Sequence, residues 1–418
     1  VPSTSIATAP QRLSAGERAA HRDPNVLRWL GGYTSSALGD NVYYLALSWA
    51  AVQAGTPAQA GLVTAVSAVP RALLMLGGGV VADRYGPWRV VVGSTAVRCA
   101  LVLVAAVLLL ATSPGLWALG AVAVLFGVVD AVFLPAGGAL PARIADRSQL
   151  ARVQGLRGLA VRLALVLGGP LGGLGIALGG TAGAFGLSAL LIGASLPALL
   201  AVRVRDLPPD DVKPREPALA ELRDGLRHIR HSPVLRPLML AIALGDLGFV
   251  GPMNLGLNLL AEERGWGPSG MGWVLAGFGV GAAAASLLLA WRGRVARAGR
   301  VTAVTALAGA GAIALLAKAP SVATAVGAAL LIGLFAGLAG AVCGALLQCH
   351  AGPAYVGRVT SVSTLVSFGL APLTFPLVGG AVDLWGTGPV FTACATICAL
   401  SGVVVLASRA LRGAELPR

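Results

Sequence analysis

From Cys99 to Val129 the chain carries no charged residue at all. A large soluble helical protein would need charged outer faces on its helices, and no soluble fold covers that much apolar chain. The rest of the sequence agrees: 56% of it is hydrophobic and 11% charged, against about 45–50% and 25% in an ordinary soluble domain. The sequence therefore predicts a polytopic membrane protein.

Spans can be drawn at 28–54, 58–82, 88–112, 115–140, 153–179, 181–203, 234–261, 268–291, 300–318, 320–348, 356–382 and 388–409. These predict an all-α membrane protein of twelve transmembrane helices, six per half. Of the 31 Lys and Arg, 26 fall in the tails, the even-numbered connections or the span ends adjoining them. Only Arg264 and Lys318 lie on the other side, and three lie deep within spans. By the positive-inside rule both termini are expected in the cytoplasm. The net charge of +14 is then a topology signal, and nucleic acid is not an expected partner. Val1 to Asn25 has no apolar core and carries Arg12, Arg18 and Arg22, so the first span is expected to act as its own targeting signal. The expected layout is a cytoplasmic tail over 1–27, a six-helix bundle over 28–203, a cytoplasmic linker over 204–233, a second bundle over 234–409 and a tail over 410–418.

The halves resemble each other. Ala37-Leu38-Gly39-Asp40 returns as Ala243-Leu244-Gly245-Asp246. The same offset of 206 superimposes Gly138-Ala139-Leu140 on Gly344-Ala345-Leu346, Arg152-Val153 on Arg358-Val359, Pro170 on Pro376 and Gly173 on Gly379. Five landmarks in one register imply a duplicated unit whose copies face the membrane the same way. In the linker, Leu219, Leu222, Leu226 and Ile229 recur at helical spacing with Glu221, Arg223, Asp224, Arg227 and Arg230 between them. That pattern predicts an amphipathic helix on the inner membrane surface. The external Glu262-Glu263-Arg264 reads as an ordinary solvated loop.

Six ionisable residues fall well inside spans: Asp40, Asp130, Asp246, Arg71, Arg98 and Arg162. Each costs about 2.5 to 3.5 kcal/mol near the helix centre, so the six must pair or line water. One reading has Asp40, Asp246 or Asp130 binding a proton or a cationic substrate group, with Arg71, Arg98 and Arg162 as charge partners. The other has fixed salt bridges holding the helices in register. Nothing points to catalysis: no Ser, Cys or His stands in a nucleophile or metal arrangement, and no nucleotide-binding motif is present. No metal and no cofactor is expected. The five cysteines (Cys99, Cys343, Cys349, Cys394 and Cys398) lack paired-motif spacing, and Cys394 and Cys398 read as small packing residues. The run Gly168-Gly169-Pro170-Leu171-Gly172-Gly173 reads as a surface for close helix packing, with Pro170 permitting a bend.

Between the second and third spans stands Gly79-Val80-Val81-Ala82-Asp83-Arg84-Tyr85-Gly86. It resembles the signature of the major facilitator superfamily, Gly-x-x-x-Asp-Arg-x-Gly. Leu38-Gly39-Asp40, Pro70-Arg71, Gly169-Pro170 with Gly173, and Gly357-Arg358-Val359 add a resemblance to its branch of macrolide and enterobactin exporters, proton-driven drug and metabolite antiporters. The resemblance covers roughly 26 to 408. It implies the major facilitator fold, and a cytoplasmic gate motif of Gly79, Asp83, Arg84 and Gly86 in which Asp83 caps the N-terminal end of the eleventh span. Arg294 stands near where the second-half copy would need its acid, so a latch is expected in the first half alone. The function expected is secondary active export of an amphipathic small molecule (a drug, antibiotic or secondary metabolite) in exchange for protons, by alternating access, from a bacterial inner membrane and as a monomer. The alternatives are a proton-coupled uptake symporter and a non-transporting sensor or scaffold of the same fold.

Overall fold

The computed structural model describes residues 23–112, 115–145, 149–204, 218–292, 297–352 and 355–415. Among them there is no strand. The helices are α1 (Pro24–Ala54), α2 (Pro57–Tyr85), α3 (Pro87–Ala111), α4 (Leu116–Ala139), the short α5 (Pro141–Ile144), α6 (Leu150–Leu200), α7 (Ala218–His231), α8 (Leu235–Gly251), α9 (Leu257–Glu263), α10 (Gly267–Arg292), α11 (Ala298–Ala317), α12 (Val322–Ala351), α13 (Val356–Trp385), α14 (Thr387–Ala407) and the short α15 (Arg409–Arg412). A π-helical turn over Pro252–Gly256 joins α8 to α9, so these three pieces make one rod.

Helix starts follow local chemistry. The Asp23 carboxylate accepts from Asn25 N–H ahead of Pro24, and Thr56 forms a reciprocal capping box with Gln59 ahead of Pro57. Gly86 ends α2 and precedes Pro87 at φ +84°, where a side chain would be strained; the turn itself therefore requires the last glycine of the signature. Helix α6 is two limbs broken at Gly179 and Gly180, whose φ of −134° and +64° leave the helical region. Beyond the break the limbs fold back on each other, with Gly175 against Ala184. Among the described residues nine helices are long and apolar enough to cross a membrane, with Arg152–Leu200 counted once. Divided at its break, and joined by α1 (31 residues) and α2 (29 residues), they make the twelve rods of the sequence reading.

The two halves meet along two seams, α2 against α13 and α6 against α10. Both seams are built on glycine. A Cβ at Gly61 would come within 2.7 Å of Phe375 O, and one at Gly272 within 2.7 Å of Gly169 O. Likewise Gly173 lies against Pro268 O, as Gly379 lies against Pro57 O. These matching contacts pair Pro57 with Pro268 and Gly61 with Gly272 as equivalents. They all lie toward the ends of the rods remote from the chain termini, hereafter the far face. Pro170 does not interrupt α6.

The repeat holds for most landmarks and fails for its most conspicuous one. Buried positions of α4 and α12 match at 206, as Leu119 with Ala325, Phe126 with Ile332 and Gly127 with Gly333. The second limb of α6 matches α14 in the same register, since Ser188, Ile192 and Ser195 correspond to the buried Cys394, Cys398 and Ser401. Yet Ser188 and Ile192 receive Gly39, whereas Cys394 and Cys398 receive Gly248. Helix α8 is thus shifted three residues relative to α1. Asp246 stands at the place of Ala37, and the place of Asp40 is taken by Phe249. The identical tetrads lie on corresponding helices about one turn, ~4.5 Å, apart in depth.

Helix α7 forms where its leucine spacing predicts it. Its apolar face, however, is covered by protein: Leu222 and Ile229 join a cluster with Leu235, Leu346 and Val359, while Leu226 is exposed. Arg358 at the start of α13 pairs with Asp224 at 3.2 Å, and the His228 ring stacks on Tyr355 at 4.2 Å. Nor is Glu262-Glu263-Arg264 a free loop. Glu262 accepts from Gln53 and Glu263 from Thr387, and Arg264 donates to the carbonyls of Ala317 and Ala319. At the far face these side chains tie four helix ends together.

Candidate functional site

Four of the intramembrane charges form one network in the first half. Asp40 on α1 accepts from Arg98 Nη1 at 2.8 and 2.7 Å through its two oxygens. The same nitrogen lies 3.6 Å from Asp130 on α4, and Asp130 lies 3.6 Å from Arg71 on α2. Charge alternates along Asp40, Arg98, Asp130 and Arg71, so each ion has an opposite neighbour and the group is neutral. Arg98 is fully buried. Its Nη2 donates to Ser36 and Thr95 at 3.0 and 3.4 Å, and its guanidinium lies 3.7 Å from the centre of the Phe133 ring. That stacking compensates for a buried Nε–H without an acceptor.

Tyr44 carries the network to a cavity. Its hydroxyl donates to Asp130 at 3.2 Å and accepts from Arg71 at 3.2 Å. Tyr44 and Arg71 both line a central cavity of about 210 Å³ between the halves, to which Asn41 and Ser48 contribute from the first half and Asn254, Asn258 and Met271 from the second. Asn258 donates to Ser48 at 2.6 Å, and its Oδ1 is buried without a partner. Asp40 and Asp130 do not line this cavity. They reach it only through Arg71 and Tyr44.

The remaining charges behave differently. Arg162 has no acidic partner among the described residues and donates to Ala282 O across the α6–α10 seam at 3.0 Å. Its expected role as partner of an acid is therefore replaced by one as a tie between halves. By the register of the seams Ala282 is the equivalent of Arg71, and Phe368, over which Arg71 lies at 5.2 Å, is the equivalent of Arg162. Each seam thus carries one arginine at the same level. Asp246 accepts from Ser367 at 2.5 Å and has no basic side chain within ion-pair distance among the described residues. Gly79 and the side chain of Asp83 lie outside the described parts of the gate motif; Arg84 and Gly86 are described, and Arg84 is exposed. Cys394 and Cys398 pack on Gly248.

Sequence reasoning missed Ser36, Thr95 and Ser367 as partners of the charges, because a hydroxyl in a helix normally bonds to its own backbone. Asn41 and Ser48 also escaped notice. Asn41 had a usable signal, since a side-chain amide in a membrane span is costly unless it is satisfied.

A rod pattern, two glycine seams and a cavity between halves describe many carriers; sequence kinship decides among them. Residues 29–368 match the family model of the Major Facilitator Superfamily. The chain belongs to this superfamily. It is a multi-pass membrane transporter of the superfamily with a small-molecule substrate. Among its superfamily relatives, it is 30% identical over 405 residues to the multidrug efflux pump Tap of Mycobacterium tuberculosis, covering 91% of this chain and 92% of the relative. It is 27% identical over 347 residues to the enterobactin exporter EntS of Shigella boydii, covering 82% and 79%. The superfamily fold is also seen in two solved transporters. The nucleoside transporter NupG superposes with a TM-score of 0.72 at 12% identity, over 93% of this chain and 100% of that one. A bacterial homologue of the human lysosomal transporter Spinster, in an inward-facing and unoccupied conformation, gives 0.62 at 15% identity, over 93% and 95%.

Proposed function

We propose that the protein exports amphipathic small molecules in exchange for protons, by alternating access, with both termini in the cytoplasm. One observation carries the reading: a neutral chain of two carboxylates and two guanidinium groups ends, through Tyr44, in a cavity shared by both halves. Protonating Asp130 frees Arg71 for the cavity, and protonating Asp40 weakens the hold on Arg98. The first event changes the charge presented to the cavity and the second loosens the network behind it, and such a link is what coupling a proton to a substrate requires. Export rather than uptake is favoured by kinship with proteins named as efflux pump and exporter. The excess of basic residues in the tails and α7 favours a cytoplasmic termini face; the closed far face is then external. Both seams and the cavity are formed within one chain, so a monomer suffices. The resemblance of the gate motif supports a latch formed by Asp83 on the start of α13 as part of this reading.

The test is accumulation of a panel of dyes and antibiotics in a pump-deficient bacterium expressing the protein, with and without an uncoupler. Lower accumulation that the uncoupler reverses is expected. Higher accumulation, or lowering that persists without a proton gradient, refutes proton-driven export.

A further inference from the structure

The second half contains a cavity of its own. It lies inside the bundle among α8, α11, α12 and α14, has a volume of about 240 Å³, and is lined by Asp246, Phe249, Phe335, Thr305, Ala336 and Ala339 among others. Its position is informative. The buried positions Val91, Thr95, Arg98, Ala105 and Ala106 of α3 fall in one register with the buried Ala298, Thr302, Thr305, Ala312 and Ile313 of α11, so the place of Arg98 is taken by Thr305. On α12 the register of buried positions gives Ala336 for Asp130, Ala339 for Phe133 and Ile332 for Phe126.

The second-half cavity therefore occupies the volume that the first half fills with the Arg98 guanidinium, its stacking ring and the Asp130 carboxylate. Every replacement is smaller or less polar. One charge remains at the edge: Asp246, one turn from the position of Asp40, takes a hydrogen bond from Ser367 and faces no basic side chain among the described residues. The lining hydroxyls of Thr302, Thr305 and Ser401 are spent on the carbonyls of their own helices. A carboxylate with spare acceptor capacity beside two aromatic rings matches a cation with a flat or apolar body.

We propose that this cavity is a ligand site, separate from the central one, that takes the guanidinium, amidinium or protonated amine head of an organic cation. The first half supplies its own guanidinium to this space, and the second leaves the space for one from outside. The site requires neither proton coupling nor export, so its test can fail while the reading of transport survives, and the reverse.

Benzamidine, a flat aromatic amidinium, is the probe, titrated calorimetrically into the purified full chain in detergent. Saturable binding is expected, weakened at least tenfold by Asp246→Asn, an isosteric change that removes the charge, and by Ala336→Leu, which fills the cavity. Asp224→Ala, which removes a carboxylate on α7 that does not line this cavity, leaves it unchanged. Cys343 also lines the cavity. In a chain whose other cysteines are replaced by alanine, benzamidine should slow alkylation of Cys343 by N-ethylmaleimide, and Asp246→Asn should abolish that protection. Absence of saturable binding to the wild-type chain, binding that survives either cavity substitution, or equal loss in Asp224→Ala overturns the proposal.

Discussion

Placing a methyl group at Gly173 probes the seams most directly. Its Cβ would stand 2.6 Å from Pro268 O, where ordinary van der Waals contact begins at 3.4 Å, so α6 and α10 must part by about 0.8 Å at that point. The obstacle is a helix backbone, not a rotatable side chain. Overpacking of this kind costs roughly 1–3 kcal/mol, and the cost falls on the conformation in which the far face is closed. A bias of that size shifts a two-state equilibrium by about 5- to 150-fold toward the conformation in which the seam is open. Gln53 and Glu262, hydrogen-bonded at 3.0 Å across the far face, offer a reporter as a cysteine pair in a chain stripped of its own five cysteines. Gly173→Ala should lower the yield of the Gln53→Cys, Glu262→Cys cross-link severalfold without altering membrane insertion. Gly379→Ala, at the matching contact with Pro57, should do the same. An unchanged cross-link in both variants would refute the view that glycine contacts set the closed state.

Three further outcomes are expected. Asp40→Asn leaves Arg98 buried with only the more distant Asp130 as counter-ion, so it should destabilise the purified protein by about 3–5 kcal/mol; a further Arg98→Met change should recover part of this in a thermal-unfolding cycle. Arg162→Ala removes one charged donor from the α6–α10 seam, a loss of about 1.5–3 kcal/mol at most, and should lower the far-face cross-link less than Gly173→Ala does. Asp224→Ala breaks the pair with Arg358 at an exposed site, for about 1 kcal/mol or less, and should show as faster trypsin cleavage within α7 while the melting temperature of the bundles hardly changes.

The fold was largely legible because the bilayer removes choices. Once backbone groups must be satisfied within a span, an uncharged run of sufficient length is a helix, and the observed ends differ from those drawn on the sequence by a few residues. Glycines that need the left-handed region or close backbone approach were legible as motifs: Gly86, Gly169 and Gly173 all have such reasons in the structure. Pairing among the charges was legible only as a requirement. Neutrality of six ions does not say which helices bring them together, and it is packing around Arg98 that gathers four and leaves Asp246 and Arg162 apart. The repeated tetrad misled for a related reason. Identity of four letters says that two helices correspond, but their relative depth is set by which glycine receives the neighbouring helix, Gly39 in one half and Gly248 in the other.

That shift gives the duplication its physical meaning. Two copies in perfect register would place like charges at like depths, and each half would need its own counter-ions. Instead the first half concentrates two acids and two bases into a neutral block that is costly to break, while the second keeps one carboxylate beside a void. The seams remain alike, with Gly61 facing α13 as Gly272 faces α6, and the alternating access proposed above would move the halves along these matched surfaces. The proton-driven carrier proposed here needs both properties: symmetry where the halves would slide, so that two conformations lie close in energy, and asymmetry where ions bind, so that protonating one site would bias the motion in one direction.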